Sequence, residues 1–386
     1  MRLPASHAAL LLTAAAFAVA GCGASNECPL GPCPLSELHA ADRAAATAWM
    51  AKYDQGPAKP IEAHAQERRL RNVRQLTFSG QNAECYFSFE GDQFIFQSTR
   101  ADFVADQIFT MDLAAGSLRL VSSGLGKTTC GYFLPGAKRI LYASTHVASP
   151  TPPAPPDYQK YGYVWKFNDG FDIFAADPDG RRVERLTATP GYDAECTVSN
   201  DGEWIVFTSM RDGDLDLYKM RVDGSDVTRL THELGYDGGA FFTPGDRQIV
   251  YRGFTPTTPE DVGAYREMME LGMWRPGPLE LRIMDADGGN KRTFFSNGAS
   301  NWAPFMLPDG KRVIFSSNLH DPNPKNRNFD LYMVNVDGSG LERITFDEQF
   351  DGFPMFSPDG KHLVWAANRH GSAPRDTNLF LADWVE

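Results

Sequence analysis

Apolar and polar residues alternate along residues 71–386 in short runs separated by turn residues, and the same pattern returns six times. The clearest copy is DGFPMFSPDGKHLVWAAN (351–368), in which two alternating runs flank a Pro-Asp-Gly turn. Such runs predict antiparallel strands joined in hairpins. Aligned on this turn, the copies fall at residues 91, 137, 202, 246, 310 and 360.

Each copy continues into a third run, such as LDLYKMRVDG (215–224), and an outer run such as RLT (229–231) precedes the next copy. Four short strands per unit of about 45 residues predict one blade of a β-propeller, and six copies predict six blades. VRQLTF (73–78) matches an outer run but stands before the first copy. We therefore predict an all-β, six-bladed propeller whose last blade combines 351–386 with 71–77, which covers its open edges.

The FSPDG-like turns, the DLY strands and the RLT strands resemble the TolB-type (WD40-like) propeller repeat over residues 71–386. The resemblance implies the fold and says little about function, because one fold carries many functions. TolB has a sizeable α/β domain before its propeller, whereas this chain has a segment of about 50 residues there, so the docking role of TolB is not implied. Oligogalacturonate lyases have a similar repeat but would need metal-binding histidines in the channel, and no histidine falls in the six inner runs.

The first 22 residues predict a secretion signal. The apolar stretch LLLTAAAFAVAGC (10–22) is too short to span a bilayer, and its end, VAGC, resembles the lipobox of bacterial lipoproteins. That resemblance implies a signal peptide over residues 1–21 and acylation of Cys22. Because no aspartate retention signal follows the cysteine, it implies an outer-membrane lipoprotein that faces the periplasm. A soluble secreted protein is the alternative.

Residues 22–70 are predicted to be a tether. Cys28 and Cys33 lie close together in an oxidising compartment, where a local disulfide is favoured over a metal site that would need a second pair of ligands. Residues 36–53 are rich in alanine and predict one short helix that begins at a serine cap.

The net charge of −12, with no Lys/Arg cluster, argues against nucleic acid or anionic lipid surfaces as partners. Cationic partners, cations and neutral ligands remain open. The sequence contains neither G-x-S-x-G nor H-E-x-x-H, so it shows no catalytic constellation of these types.

The first position of each inner run carries a side chain with an oxygen: Asn82, Thr128, Asp193, Asp237, Asn301 and Asp351. Two further acids, Glu84 and Glu195, lie two residues along. Because inner strands line the channel of a propeller, these groups are expected to ring one mouth of it. They could cap their own turns, or they could form a ligand site, with Ca²⁺ as the candidate cation and Asp193, Glu195, Asp237 and Asp351 as its ligands.

Cys85, Cys130 and Cys196 fall at or beside one slot of the inner runs. Packing between blades is the expected role of small thiols there. A catalytic thiol would need a nearby histidine, which is not aligned with them, and a disulfide would need Cα atoms within about 7 Å.

Three insertions, 146–170, 253–278 and 319–328, separate the second and third runs of blades 2, 4 and 5. In an antiparallel blade this connection lies on the same face as the start of the inner strand. The insertions should therefore rim the oxygen-lined mouth and supply an aromatic canopy, or else pack on one another. Residues 258–272 predict a helix capped by a threonine, and the canopy residues expected to contact a ligand are Tyr163, Trp165, Tyr265 and Trp274.

The leading hypothesis is a non-catalytic, lipid-anchored periplasmic propeller that binds an envelope protein, a peptide or a glycan at the inserted face. The alternative is a metal-assisted hydrolase or lyase at the acidic mouth. A purely structural envelope lipoprotein without a pocket is a third hypothesis.

Overall fold

The alternating runs form the strands of six antiparallel sheets arranged as the blades of a β-propeller. A computed structural model describes residues 56–100, 103–321, 328–371, 373 and 376–386. The predicted signal peptide, the lipidation site at Cys22, the disulfide between Cys28 and Cys33 and the helix over 36–53 lie outside the described residues.

The strands of the N-terminal segment and of blades 1 and 2 are β1 (Lys59–Pro60), β2 (Leu70–Gln75), β3 (Gln81–Phe87), β4 (Gln93–Thr99), β5 (Gln107–Asp112), β6 (Leu118–Leu120), β7 (Thr128–Phe133), β8 (Ile140–Ser144), β9 (Trp165–Lys166), β10 (Asp172–Ala176) and β11 (Glu184–Arg185). Those of blades 3 and 4 are β12 (Asp193–Val198), β13 (Trp204–Ser209), β14 (Asp216–Arg221), β15 (Thr228–Arg229), β16 (Tyr236–Phe242), β17 (Gln248–Phe254), β18 (Met273–Trp274), β19 (Glu280–Asp285) and β20 (Arg292–Phe295). Blades 5 and 6 contain β21 (Asn301–Met306), β22 (Arg312–Ser317), β23 (Asp330–Asn335), β24 (Glu342–Arg343), β25 (Asp351–Phe356), β26 (His362–Ala367) and β27 (Asn378–Trp384).

Few helices accompany the strands: a 3₁₀ turn at Pro135–Ala137, α1 (Tyr158–Tyr161) and α2 (Pro259–Glu270). In the part of the chain that the structure describes, no helix has the length and apolar character needed to cross a membrane.

Blade 6 is closed by the N-terminal strand, as predicted. β2 pairs antiparallel with β27, the third strand of the C-terminal blade. The resulting sheet runs β25-β26-β27-β2, and β1 adds a fifth strand at its edge. The edges that an open ring would expose are therefore paired within the chain.

The predicted tether over 22–70 is wrong for its last part, because residues 56–69 pack on the propeller. β1 pairs with β2, and the fully buried carboxylate of Glu67 lies 2.9 Å from a guanidinium nitrogen of Arg369. A buried charge of this kind needs a fixed partner. This stretch is thus part of the propeller.

The repeated aspartate of the third strand and the repeated RLT or RIT of the fourth form one brace. The arginine bonds the aspartate across the blade, and the threonine hydroxyl accepts the backbone N–H of the residue after that aspartate. Burial raises the pKa of the aspartates to about 6 or 7, and the arginine opposes this rise. The repeat motif is therefore structural in three blades, through Asp172 with Arg185 and Thr187, Asp216 with Arg229 and Thr231, and Asp330 with Arg343 and Thr345.

The insertions of blades 2 and 4 meet above blade 3, where β9 and β18 form a two-stranded antiparallel sheet. The predicted helix in the blade 4 insertion is present as α2, and the hydroxyl of Thr258 accepts the backbone N–H of Asp261 at its start. This arrangement supports an aromatic cover on one face of the propeller.

Candidate functional site

Every inner strand contains a β-bulge at the same place. Two residues of the inner strand oppose one residue of the second strand in all six blades. The third residue of each inner run, counted from the six first positions named in the sequence analysis, has a left-handed backbone with φ between 50° and 56°, a conformation that costs a non-glycine residue about 1–2 kcal/mol. The six bulge residues are Glu84, Cys130, Glu195, Gly239, Ala303 and Phe353.

All six bulge residues line one cavity of about 1070 Å³ at the inserted face. Aromatic rings fill the channel beneath it: the ring of Tyr86 lies 5.6 Å from that of Tyr132 and 5.5 Å from that of Phe241, measured between centroids. These three side chains are buried. The cavity is therefore a pocket with an aromatic floor.

The six first positions do not line the cavity, which corrects the expected oxygen ring. Each is at most 3% exposed, and each bonds a side chain of its own blade. Because of the bulge, the third residue and not the first reaches the cavity. The bonds join Asn82 to Ser98 and Arg100, Thr128 to Ser144, Asp193 to Ser209 and Arg211, Asp237 to Arg282, Asn301 to Ser317, and Asp351 to Trp365 and Arg369.

The expected metal site is likewise not assembled. The four predicted ligands lie in three different blades, and each is paired with an arginine: Asp193 with Arg211, Glu195 with Arg252, Asp237 with Arg282 and Asp351 with Arg369. Within the described ranges, no three His, Cys, Asp or Glu side chains lie close enough together to hold a metal ion. A carboxylate that is already bonded to a guanidinium is a poor ligand for a second cation.

Glu195 is the centre of a dense polar network on the cavity wall. A guanidinium nitrogen of Arg252 lies 2.6 Å from one carboxylate oxygen. The hydroxyl of Thr208, at 2.8 Å, and the backbone N–H of Gly239, at 3.0 Å, donate to the other. Arg252 also donates to the hydroxyl of Tyr236 at 2.7 Å and 2.9 Å. The side chain of Glu195 is 17% exposed and that of Arg252 is 8% exposed. The two residues therefore form a largely buried ion pair with many hydrogen bonds.

Two glycines make room for this network. A Cβ atom on Gly239 would stand 2.4 Å from the guanidinium of Arg252, and one on Gly238 would stand 2.4 Å from a carboxylate oxygen of Glu195. Real Cβ atoms do not approach other atoms this closely. The Gly-Gly pair of β16 therefore allows the arginine of blade 4 to reach the carboxylate of blade 3.

Glu84 is the second acid of the cavity and is held differently. Burial, followed by the nearby charge of Glu195, raises its pKa from 4.5 to about 7. A hydrogen bond from the thiol of Cys130 and the charge of Arg252 oppose the rise. Glu84 therefore changes its charge near neutral pH, in a pocket that is open to solvent.

Replacing Glu84 with glutamine is expected to raise the free energy of unfolding by about 2 kcal/mol at pH 8. The folded-state pKa lies above that of the unfolded chain, so the cost of holding the ionised carboxylate is absent below about pH 4.5. It grows between pH 4.5 and 7 and is constant above. Urea unfolding at pH 5 and pH 8 measures the difference, which should be larger at pH 8.

The exposed Glu203, paired with Arg221 at the surface, provides the matched control. Glu203→Gln should change the free energy of unfolding by less than about 0.5 kcal/mol at both pH values. A Glu84→Gln variant that is less stable than the wild type at pH 8 would contradict the prediction.

Two of the four predicted canopy residues line the cavity. Tyr163 and Trp165 line the cavity, and the indole N–H of Trp165 donates to the hydroxyl of Tyr163 at 2.9 Å. Tyr265 and Trp274 are buried beneath the canopy instead. The hydroxyl of Tyr265 bonds Asp214 at 2.5 Å, and Trp274 stacks on Tyr236 with ring centroids 4.5 Å apart, so both support the lining from behind.

The three cysteines of the inner strands are buried free thiols, which matches packing between blades. Burial raises the pKa of all three above the usual value. Cys130 and Cys196 border the cavity. A thiol that stays protonated is a weak nucleophile.

Two parts of the cavity were not predicted from the sequence. The first is Arg252 on the second strand of blade 4. The other copies have Gln, Ala, Thr, Ser and Ala at this position, so the charged residue could have indicated a special role. The second is an aromatic wall in blades 5 and 6. Its members contact one another and line the cavity: Trp302, Phe329, Phe350 and Phe353.

A family model described as TolB beta propeller domain matches residues 146–255. The Tol-Pal system protein TolB of Thioalkalivibrio sulfidiphilus is 38% identical over 64 residues, which cover 17% of this chain and 13% of that protein. A solved structure of a putative TolB from Agrobacterium tumefaciens has a TM-score of 0.52 and 18% identity, and covers 80% of this chain and 91% of that chain. The chain folds as a TolB-type β-propeller.

A longer sequence match is to an uncharacterized protein of Agrobacterium fabrum. The two are 29% identical over 164 residues, which cover 42% of this chain and 52% of the relative. The matches thus span about half or less of the length of these curated relatives. At such identities the solved structure of the putative TolB shows the fold alone.

Proposed function

We propose that this TolB-type propeller is a non-catalytic, lipid-anchored periplasmic protein that binds part of a protein, peptide or glycan in the cavity at its inserted face. The observation that carries the proposal is the cavity of about 1070 Å³ bounded by the six bulge residues, the canopy and the aromatic floor. A concave, largely apolar pocket with a few fixed polar groups is what ligand binding requires.

The two halves of the cavity differ in chemistry. Blades 1 to 3 contribute Glu84, Cys130 and Glu195 to the bulge ring, whereas blades 4 to 6 contribute Gly239, Ala303 and Phe353. The second half continues into the aromatic wall. A ligand with both polar and apolar parts therefore fits better than one that is uniformly polar.

The polar groups of the cavity are arranged for binding. Glu195 accepts hydrogen bonds from four residues: Thr208, Tyr236, Gly239 and Arg252. Burial keeps the thiol of Cys130 protonated by raising its pKa. The alternative hydrolase or lyase would bind its metal through four carboxylates, and each of them is bonded to an arginine: Asp193, Glu195, Asp237 and Asp351. The donor set favours recognition of a ligand over metal-assisted chemistry.

The periplasmic location and the lipid anchor rest on the N-terminal sequence. The apolar stretch over 10–22 and the cysteine at its end support export and acylation. The curated relative of Thioalkalivibrio sulfidiphilus carries the name Tol-Pal system protein TolB. Its name supports an envelope location for this chain as well.

Replacing Trp302 with alanine is expected to weaken ligand capture at least fivefold, because large aromatic anchors in pockets carry much of a binding energy. Its indole lies on the cavity wall and contacts Phe329 and Phe353. The measurement is capture from detergent-solubilised native envelope on immobilised protein, quantified against the wild type. Thermal unfolding of each variant checks that the propeller is intact.

Trp204 offers the matched control, since it is a partly buried tryptophan at the opposite face. It begins β13 and lies beside the cationic side chains of Lys219 and Arg221. Trp204→Ala should capture as much as the wild type. Equal capture by the folded Trp302→Ala variant would refute binding in this cavity. Deleting the blade 4 insertion would be a poorer test, because it removes the buried Tyr265 and Trp274.

A further inference from the structure

The charged groups of the cavity lie at two depths. Glu84, Glu195 and Arg252 lie at the bulge ring, above the aromatic floor. Lys166 and Arg275 lie at the rim, on and just after the paired strands β9 and β18, and both are exposed. Each rim cation donates to a backbone carbonyl of the blade 2 insertion, those of Ala154 and Tyr161. The rim is therefore basic on the side of blades 2 and 4 and carries one acid, Asp321, on the side of blade 5. The inner end holds two carboxylates and one guanidinium.

The inner end retains one carboxylate without a matched cation. Arg252 lies 2.6 Å from Glu195 and offsets that charge. Among the residues that the structure describes, no Lys, Arg or His side chain forms an ion pair with Glu84. Once Glu84 is ionised, a cation arriving in the pocket meets an uncompensated carboxylate.

The remaining surface around Glu84 also suits a cation. The rings of Tyr86, Tyr192 and Trp165 line the same cavity, and the faces of aromatic rings attract cationic groups. Across the pocket, the aromatic wall provides an apolar surface. An anion at this depth would face two carboxylates and is disfavoured.

We propose that the cavity binds peptide segments through an ammonium group that pairs with Glu84, while apolar side chains of the peptide contact Trp302, Phe350 and Phe353. This inference rests on the proposed function and names the ligand class. The ammonium belongs either to a lysine side chain or to the N-terminal amine of the peptide. The rim cations then favour an anionic group further along the ligand.

The charge of Glu84 gives this pairing a pH dependence. Several charged and titratable groups interact with Glu84: Glu195, Arg252, Tyr192 and Cys196 from blades 3 and 4, Cys130 from blade 2, Asp106 just before β5, and Tyr86 on its own strand. Burial holds the pKa of Cys130 and of Tyr86 well above the usual values. Ionisation of Glu84, with a pKa of about 7, therefore controls the change between pH 6 and 8.

Three amidated tripeptides serve as probes. Acetylated Phe-Lys-Phe carries only a side-chain ammonium, Phe-Gln-Phe with an unblocked N-terminus carries only a terminal ammonium, and acetylated Phe-Gln-Phe carries neither. Calorimetry on the full chain at pH 8 is expected to show at least one ammonium probe binding about tenfold more tightly than the neutral probe. The affinity for the lysine probe should rise about fivefold from pH 6 to 8.

Glu84→Gln should remove the preference for the ammonium probe and its pH dependence, while Glu203→Gln should retain both. Equal binding of all three probes, unaffected by Glu84→Gln but lost in Trp302→Ala, would overturn the ammonium assignment and leave the binding cavity supported. Failure of every probe to bind the wild type would also overturn it. The proposed function would then be judged separately by the capture experiment.

Discussion

Replacing Arg252 with methionine is expected to lower the free energy of unfolding by about 3–5 kcal/mol, since it leaves the carboxylate of Glu195 buried without its cation. Burial by itself lowers the pKa of Arg252, but Tyr236 and Glu195 hold it above its usual value. The guanidinium also lies 5.2 Å from the ring centroid of Trp165, so the variant loses a canopy contact as well. Urea unfolding at pH 7.5 measures the loss.

A double variant tests whether the unpaired charge is the cause. In Arg252→Met/Glu195→Gln neither charge is present, and the amide of the glutamine can still accept from Thr208 and from the backbone of Gly239. More than half of the lost stability should return. A single variant within 1 kcal/mol of the wild type, or a double variant no more stable than the single, would show that this pair does not hold the cavity wall.

The fold could be predicted because its signals are local and repeated. Alternation with a period of two, Asp-Gly turns and six equivalent copies leave few arrangements other than a ring of blades. The displaced outer run near residue 73 also identified the closing strand, β2. The packing of residues 56–69 could not be predicted, since it depends on a buried pair 302 residues apart in the chain, Glu67 and Arg369.

The cavity lies at the face that the sequence indicated, but of the predicted ligand-binding residues only Glu84, Glu195, Tyr163 and Trp165 line it. The first position of each inner run was expected at the channel mouth because inner strands line the channel, but it is the third residue, with its left-handed backbone at the bulge, that reaches the cavity. Of the six bulge residues only Gly239 is a glycine. The other five inner runs therefore contain no glycine that would indicate a left-handed backbone at this position.

Comparison of the copies could have separated structure from function. The first positions are Asn, Thr or Asp in every blade, and all six bond side chains of their own blade: four bond a serine of the second strand, and Asp237 and Asp351 bond an arginine. The bulge positions are Glu, Cys, Glu, Gly, Ala and Phe, so they do not share a structural task. Positions that vary between copies of a repeat are the ones left for a ligand. Arg252 likewise stands at a second-strand position whose residue differs between the copies.

The second large effect is expected at the closure of the ring, where Arg369 lies between Glu67 and Asp351. The guanidinium lies 2.9 Å from the first carboxylate and 2.6 Å from the second, and the three side chains are 5%, 0% and 0% exposed respectively. Replacing Arg369 with methionine is expected to lower the free energy of unfolding by about 3–5 kcal/mol at pH 8. Two buried carboxylates would then have no cation between them.

The loss should be smaller at pH 5. Burial raises the pKa of Asp351 to about 6 even with Arg369 beside it, and removal of the cation raises this pKa further. At pH 5 the carboxyl is therefore protonated in the folded variant and carries no unpaired charge, whereas at pH 8 it must be held ionised. Arg221→Met removes surface contacts only, the pairs with Glu203 and Asp226 and the contact with the ring of Trp204, and should cost less than about 1 kcal/mol at either pH. An equal loss for Arg369→Met at both pH values would mean that the arginine acts through packing and not through its charge.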